Sequence, residues 1–350
     1  MVVDAQGILA RLESTGEATR EELAHLLAWE AGQEALFAAA DRVRHLRVGD
    51  EVHLRALVEF SNYCWRNCHY CGLRRDHREL ARYRLSPDEI LDAVDTAAEL
   101  GYRTIVLQSG EDPYYTVDVL APLLREIKTR HALAITLSIG ERPEEEYRAL
   151  REAGADRFLL RIETSSPALY RALHPELDWE SRVACLRVLR RLGYQVGSGV
   201  MIGLPGQTHE MLADDLLFLR DFDLDMIGVG PFLPHPATPL AGVEGGTLDL
   251  ALRFVAALRL LCPEALIPAT TALGALDPQG RQRALRAGAN VMMPNCTPTQ
   301  YREQYQLYPG KICTGEAAPQ CRLCVEGMVA LLGRTIADHP GHSLRSQRPA

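Results

Sequence analysis

The chain has 350 residues, with 38 Lys and Arg against 46 Asp and Glu, for a formal charge of −8. At 47% hydrophobic and 24% charged it is too apolar for disorder, and its acidic balance argues against a nucleic-acid binder that works through a basic face. No apolar run approaches the ~18 residues of a membrane-spanning helix, and Met1 to Glu13 lacks the basic and apolar regions of a secretory signal, so a soluble cytoplasmic protein is expected.

Residues 1–50 predict a helical extension that packs on the main domain. Thr19 and Glu22 form a capping-box pair ahead of the apolar Leu23, Leu26 and Leu27, and a second helix is expected over Trp29 to Leu46. From Val52 the pattern changes to short apolar runs that alternate with amphipathic helices. Strands are expected at Val52–Glu59, Thr104–Gln108, Ala134–Ile139, Arg157–Glu163, Gln195–Ile202, Asp225–Val229, Leu266–Thr270 and Ala289–Met293. Ser86, Pro87 and Glu89 supply N-cap, N1 proline and N3 glutamate for the helix after the first strand, and Gly101 follows its end. Eight such alternations predict an α/β fold with a parallel sheet, and the lack of an early G-x-G-x-x-G favours a closed (β/α)8 barrel over an open doubly wound sheet. The barrel is expected over 51–300, a C-terminal segment over 301–337, and a polar, frayed tail over 338–350.

Of the nine cysteines, six fall in two groups of three. Cys64, Cys68 and Cys71 form a C-x3-C-x2-C run just after the first strand. In a cytosolic chain such spacing points to metal rather than disulfides. A structural zinc takes four protein ligands, whereas three thiolates suit a four-iron cubane that leaves one iron open for an exogenous ligand, so the cubane is favoured and zinc stays as the alternative. His69 is a possible fourth ligand with little geometric freedom between Cys68 and Tyr70. On the fourth strand, period two puts Arg157, Leu159, Arg161 and Glu163 on one face. Charges inside a barrel are costly unless paired or bound to a ligand. Gly203 to Thr208 reads as a turn after the fifth strand whose glycines allow close approach of a ligand. Cys185, Cys262 and Cys296 read as small buried hydrophobes.

The cysteine run, with Tyr70 before its last member, resembles the signature of the radical S-adenosylmethionine superfamily. Segments 59–76, 104–115, 201–208, 230–241, 267–274 and 301–313 resemble the FeFe-hydrogenase maturases within it, with biotin synthase and methylornithine synthase as relatives. The resemblance implies a 4Fe–4S cluster on Cys64, Cys68 and Cys71, S-adenosylmethionine as cosubstrate, and a 5′-deoxyadenosyl radical. It implies that Tyr70 lies against the adenine, that Ser138 contacts the cofactor, that Glu163 takes the ammonium and that Arg182 takes the carboxylate. Gln108, Arg157, Met226, Thr270, Thr271, Met293 and Tyr308 would line the substrate cavity, with Arg157 neutralising an anion and the threonines donating hydrogen bonds. Leu273 stands where the family usually has methionine, and Ile162 where some relatives have histidine. The implied substrate is a small iron species carrying carbon monoxide, cyanide and cysteine. The implied partners are a sister tyrosine-lyase radical enzyme, a GTPase scaffold maturase and a low-potential electron donor. Cys313, Cys321 and Cys324 would hold an accessory cluster, 2Fe–2S or 4Fe–4S, with a zinc or vestigial site as the alternative. The rival readings are a radical mutase or sulfur-inserting enzyme acting on a small organic substrate such as an amino acid, and an electron-transfer protein with no reaction of its own.

Overall fold

The computed structural model describes residues 4–344. Six parallel strands stand side by side in chain order: Ala56–Ser61, Thr104–Ser109, Ala134–Ser138, Arg157–Leu159, Gln195–Ile202 and Met226–Pro231. The ring closes through segments 266–269 and 291–295. Leu266 and Ala269 bridge Met226 and Val229, Pro268 bridges Val291, and Asn295 bridges Leu57. The arrangement is the expected eight-position barrel. Its last two positions are single bridges rather than ladders, and Pro268 and Pro294, which have no N–H to give, lie in those segments.

Two expected strands take a different course. The run Val52–Glu59 is divided at Arg55. Glu51–Leu54 pairs with Val291–Met292 on one side and Thr335–Ile336 on the other, and Ala56–Ser61 then pairs with the Thr104 strand. The fourth strand stops at Leu159, and Glu163 makes only an isolated bridge to Val200 with a φ of 64°.

The N-terminal helices Ala5–Thr15, Arg20–Ala28 and Gln33–Val48 lie against the outer helices His209–Asp221 and Leu248–Leu261, on the barrel's flank. They explain why every residue from Ala251 to Leu261 is buried: that helix has the barrel on one side and the extension on the other. Both capping boxes form, at Thr19 with Glu22 and at Ser86 with Glu89.

The frayed tail is corrected from 338 to 344. Asp338 O accepts from Arg103 Nε at 2.9 Å, Pro340 O accepts from Thr104 Oγ1 at 2.9 Å and Arg157 Nη2 at 2.7 Å, and Ser343 N donates to Gln195 Oε1 at 3.0 Å. The tail is a strap beneath the barrel, held because the buried Arg157 guanidinium at the start of its strand needs acceptors. Residues 345–350 of the expected tail lie outside the described residues.

Candidate active site

A cavity of about 380 Å3 opens at the C-terminal ends of the strands, and Cys64, Cys68 and Cys71 lie on its wall. Their loop follows the first barrel strand and is pinned by backbone bonds to three other parts of the chain. Trp65 N donates to Glu111 O at 3.1 Å, His69 N to Leu173 O at 2.9 Å and Gly72 N to Leu307 O at 3.1 Å. Gly110 is required by this packing, because a Cβ there would stand 2.2 Å from Tyr63 O and 2.8 Å from the Cys64 Cβ.

Burial raises all three thiols, and the proximity of Cys64 and Cys71 raises Cys68 further; Cys71 is pushed up to about 12. Thiolates crowded in this way are relieved by a bound cation, which also removes the thiol proton. Three thiols of one loop on the wall of one cavity are a donor set that fits an iron–sulfur cluster with one iron left open.

Around the loop stands a ring of charged groups. Glu163 is buried with its backbone in the left-handed region, a conformation costing an L-residue about 1–3 kcal/mol and typical of binding sites. Its carboxylate lies 3.0 Å from Arg161 Nη2, and burial raises its pKa. Arg161 also donates to Val200 O at 2.7 Å and keeps a buried Nε without a partner. Arg182, on the helix Trp179–Arg191, contacts Glu141 at 2.7 Å, Glu111 at 3.7 Å and the Tyr170 hydroxyl at 3.2 Å. Arg66 joins both carboxylates, at 2.5 Å from Glu111 and 3.5 Å from Glu141. Burial works against the charge of Arg182, but Glu141, Tyr170 and Glu111 outweigh it and raise its pKa.

The Tyr70 hydroxyl meets His174 Nε2 at 3.0 Å, and His174 Nδ1 meets the carbonyl of Tyr170 at 2.8 Å. A carbonyl only accepts, so Nδ1 carries the hydrogen and Nε2 accepts from Tyr70. Ser138, at the end of the third strand, is also on the cavity wall.

Gln108, Met226, Thr270, Thr271, Met293 and Tyr308 are on the wall of the same cavity. Gln108 donates to the Tyr305 hydroxyl at 3.2 Å, and Thr271 bonds the Tyr308 hydroxyl at 2.7 Å. Thr270 gives its hydroxyl proton to Val229 O at 3.0 Å, so it faces the cavity as an acceptor, not the expected donor. Arg157 stands apart. Its bonds run to Gln195, Thr104, Pro340 and His342 at the base of the barrel, and it is not on the cavity wall. The strand starts with Arg157, so its side chain reaches the lower layer, one pleat pair short of Arg161.

The residues that sequence reasoning missed are Glu141, Arg55, Glu59 and Lys311. Arg55 is fully buried, donates Nη1 to the Met226 sulfur at 2.6 Å, and leaves Nε and Nη2 without partners. Glu59 pairs with Lys311 at 2.5 Å and accepts from Asn295 at 2.9 Å. The period-two register of Arg55, Leu57 and Glu59 was the available signal.

Cys313, Cys321 and Cys324 border the same cavity. Cys313 sits at φ 62°, its thiol hydrogen-bonds Cys321, and Arg302 Nη1 lies 3.8 Å from the Cys321 sulfur. Cys324 is exposed. Of the other cysteines, Cys262 and Cys296 are buried as expected, while Cys185 is half-buried against the Tyr147 hydroxyl. The Gly203–Thr208 turn is folded on Gln207, whose Oε1 accepts from Gly203 N at 2.8 Å and Leu204 N at 3.1 Å.

Residues 58–219 match the family model of the radical SAM superfamily. The chain is 54% identical over 329 residues to the FeFe-hydrogenase maturase subunit HydE of Thermotoga maritima, covering 93% of this chain and 94% of that one. It is 33% identical to 3-methylornithine synthase of Methanosarcina barkeri over 83% of each. The solved structure of methylornithine synthase (PylB) superposes with a TM-score of 0.83 at 29% identity, covering 94% of this chain and 97% of the other. With a three-cysteine loop at the mouth of a parallel barrel and these likenesses along nearly its whole length, the chain belongs to the radical SAM superfamily of enzymes and, within it, to the HydE family of FeFe-hydrogenase maturases.

Proposed function

We propose that this radical enzyme acts in assembly of the hydrogenase di-iron subcluster, on a small anionic iron species carrying carbon monoxide, cyanide and cysteine. The observation that carries the reading is the character of the cavity. Its wall offers the Arg161 guanidinium, whose buried Nε has no partner, beside the thioethers of Met226 and Met293, with the fully buried Arg55 behind the Met226 sulfur rather than on the wall. Positive charge with unspent donors suits an anion, and a soft apolar wall suits metal-bound carbonyls.

Cys64, Cys68 and Cys71 hold the 4Fe–4S cluster in this reading. When bound, the cluster and S-adenosylmethionine together supply low-potential one-electron chemistry and a 5′-deoxyadenosyl radical. The chain's own residues bind and orient. Tyr70, its hydroxyl tied back to His174, presents its ring to the adenine. Glu163 takes the ammonium, Arg182 the carboxylate, and Ser138 a further polar group of the cofactor. Arg182 is already poised between Glu141 and Glu111, so the cofactor carboxylate exchanges with Glu141 for the same guanidinium. Gln108, Thr270, Thr271 and Tyr308 orient the substrate, and the barrel wall excludes water from the radical. The anion-neutralising role expected of Arg157 passes to Arg161. Cys313, Cys321 and Cys324 hold an accessory cluster at the cavity rim. The partners are HydG as the source of the iron species, HydF as its GTPase scaffold, and a low-potential electron donor, all in the cytoplasm.

The test is anaerobic reconstitution with iron and sulfide, then dithionite, S-adenosylmethionine and either the iron carbonyl–cyanide–cysteine complex or lysine. Deoxyadenosine formed with consumption of the iron complex supports the proposal. The second reading, a mutase acting on an amino acid, is favoured by the likeness to methylornithine synthase. It predicts turnover of lysine to a methylated ornithine and none of the iron complex.

A further inference from the structure

Arg82 lies between the cysteine loop and the helix Pro87–Glu99, and its guanidinium gathers four backbone carbonyls. Nη1 donates to Asn62 O at 2.5 Å and Leu73 O at 2.9 Å, and Nη2 donates to Arg74 O at 2.8 Å and His77 O at 3.2 Å. Asn62 precedes Cys64 by two residues and Leu73 follows Cys71 by two. One planar fork thus ties the entrance of the cysteine loop to its exit. The same two strands of chain are joined in the other direction, because Asn62 Nδ2 donates to Ala81 O at 2.8 Å and Tyr83 N donates to Asn62 Oδ1 at 2.7 Å.

Charge is a second, independent observation. Arg66, Arg74, Arg75 and Arg84, four of the arginines around it, have carboxylate partners in Glu111, Asp76, Glu176 and Asp112. The four hydrogen bonds that Arg82 makes all go to backbone carbonyls, and it is half-buried. Its bonds to Asn62 O and Leu73 O, each two residues from a cysteine, set the guanidinium beside the ends of the loop that carries Cys64 and Cys71.

We propose that Arg82 is a positioning residue for the cluster: it holds the Cys64–Cys71 loop closed around the metal and places beside it a positive charge that no carboxylate cancels, favouring the one-electron-reduced state. The inference rests on the reading that Cys64, Cys68 and Cys71 hold the cluster. Reduction adds one negative charge to the metal site, and a fixed cation in a partly desolvated setting stabilises the more negative form more. Arginine is suited to both tasks. Lysine would keep the charge, but its ammonium cannot reach four carbonyls in one plane, and glutamine keeps neither the charge nor the fork.

The experiment compares wild type, Arg82→Lys and Arg82→Gln, each reconstituted anaerobically with iron and sulfide. Three quantities are read: the rate of iron release to a chelator, the paramagnetic signal of the reduced cluster across a dithionite-poised redox titration, and melting of the protein without metal. Both variants are expected to release iron about tenfold faster. In Arg82→Gln alone the reduced-to-oxidised ratio at a fixed potential should fall about tenfold, a shift of about 59 mV for one electron. Release at the wild-type rate in both variants overturns the tying role. A wild-type titration in Arg82→Gln, even with lowered melting, overturns the electrostatic role and leaves a merely structural residue. If Arg82→Gln does not fold, Arg82→Lys decides the tying role by its release rate, and the titration is read on Arg82→Met, where an unshifted curve overturns the charge effect. A wild-type chain that takes up no cluster removes the reading beneath the proposal, and both fall together.

Discussion

The two cysteine trios share a wall of one cavity but are built on different principles. The first is a loop fixed from many directions: by Glu111, Leu173 and Leu307 through backbone bonds, by Arg82 through four carbonyls, and by Gly110 through close approach. Its three cysteines are alike half-buried, and burial raises all three thiols. The second joins one loop residue, Cys313, to two cysteines a turn apart on the helix Ala318–Leu331, and its third member, Cys324, is exposed. A trio clamped by several distant segments keeps its geometry whatever it binds. A trio set by one helical turn and a strained loop residue, and left partly open, can exchange its ligand with solvent. The difference is what the proposed roles require, a fixed catalytic cluster at the first trio and a labile or replaceable metal at the second.

The largest expected effect is at the first trio. Cys68→Ala should abolish deoxyadenosine production, and iron analysis should show loss of the cubane. Full turnover in that variant would break the comparison at its root. Next come the cofactor contacts. Glu163→Gln keeps the shape but removes the charge that receives an ammonium, worth about 1.5–3 kcal/mol for a charged hydrogen bond. S-adenosylmethionine affinity should fall about tenfold to hundredfold by calorimetry while cluster content stays at wild-type level.

A smaller effect is expected at His174, which orders the first site from behind. Burial drives its pKa down to about 3, against ~6.5 in an unfolded chain. The unfolded state binds the proton first, so the stabilising contribution of neutral His174 is fully present above pH ~6.5 and is lost as the pH falls toward 3. Melting temperatures of His174→Gln should therefore depend less on pH across that window, and its affinity for S-adenosylmethionine should drop by a few fold as Tyr70 loses its acceptor. An unchanged pH slope would show that burial does not hold His174 neutral, and an unchanged affinity that the site does not need its bond to Tyr70. The smallest effect on activity is at the second trio. Cys321→Ala should leave deoxyadenosine formation within about twofold of wild type while lowering the iron bound per chain. Equal loss of cleavage there would merge the two trios into one catalytic unit.

Much of the fold was legible because its signals are local. The short apolar runs marked the barrel positions, and Thr19 with Glu22 and Ser86 with Glu89 marked helix starts that the structure bears out. The C-x3-C-x2-C run was legible for the same reason, since three ligands within eight residues need no tertiary information. The failures involve long range. The polar tail reads as frayed because nothing nearby in sequence pairs with it, yet Arg157, nearly two hundred residues earlier, needs Pro340 O. Arg157 and Arg161 share a face by period two, and only the depth of the barrel distinguishes a base residue from a cavity residue. Arg55 hides in an apolar run, and Glu141 follows a strand with no pattern to single it out.

Composition, periodicity and spacing by themselves determined the barrel class, the helix starts and the three clustered thiols proposed to hold the cluster, since each depends on neighbours within a turn or a pleat. Tertiary structure alone decided which charges meet. The pairing of Arg182 with Glu141 and Glu111, the left-handed backbone of Glu163, the strap under Arg157 and the four carbonyls around Arg82 all depend on segments distant in sequence. The physical reason is that a buried charge must find its partner wherever the chain brings one, and the cost of leaving it without one is met in three dimensions, not along the sequence.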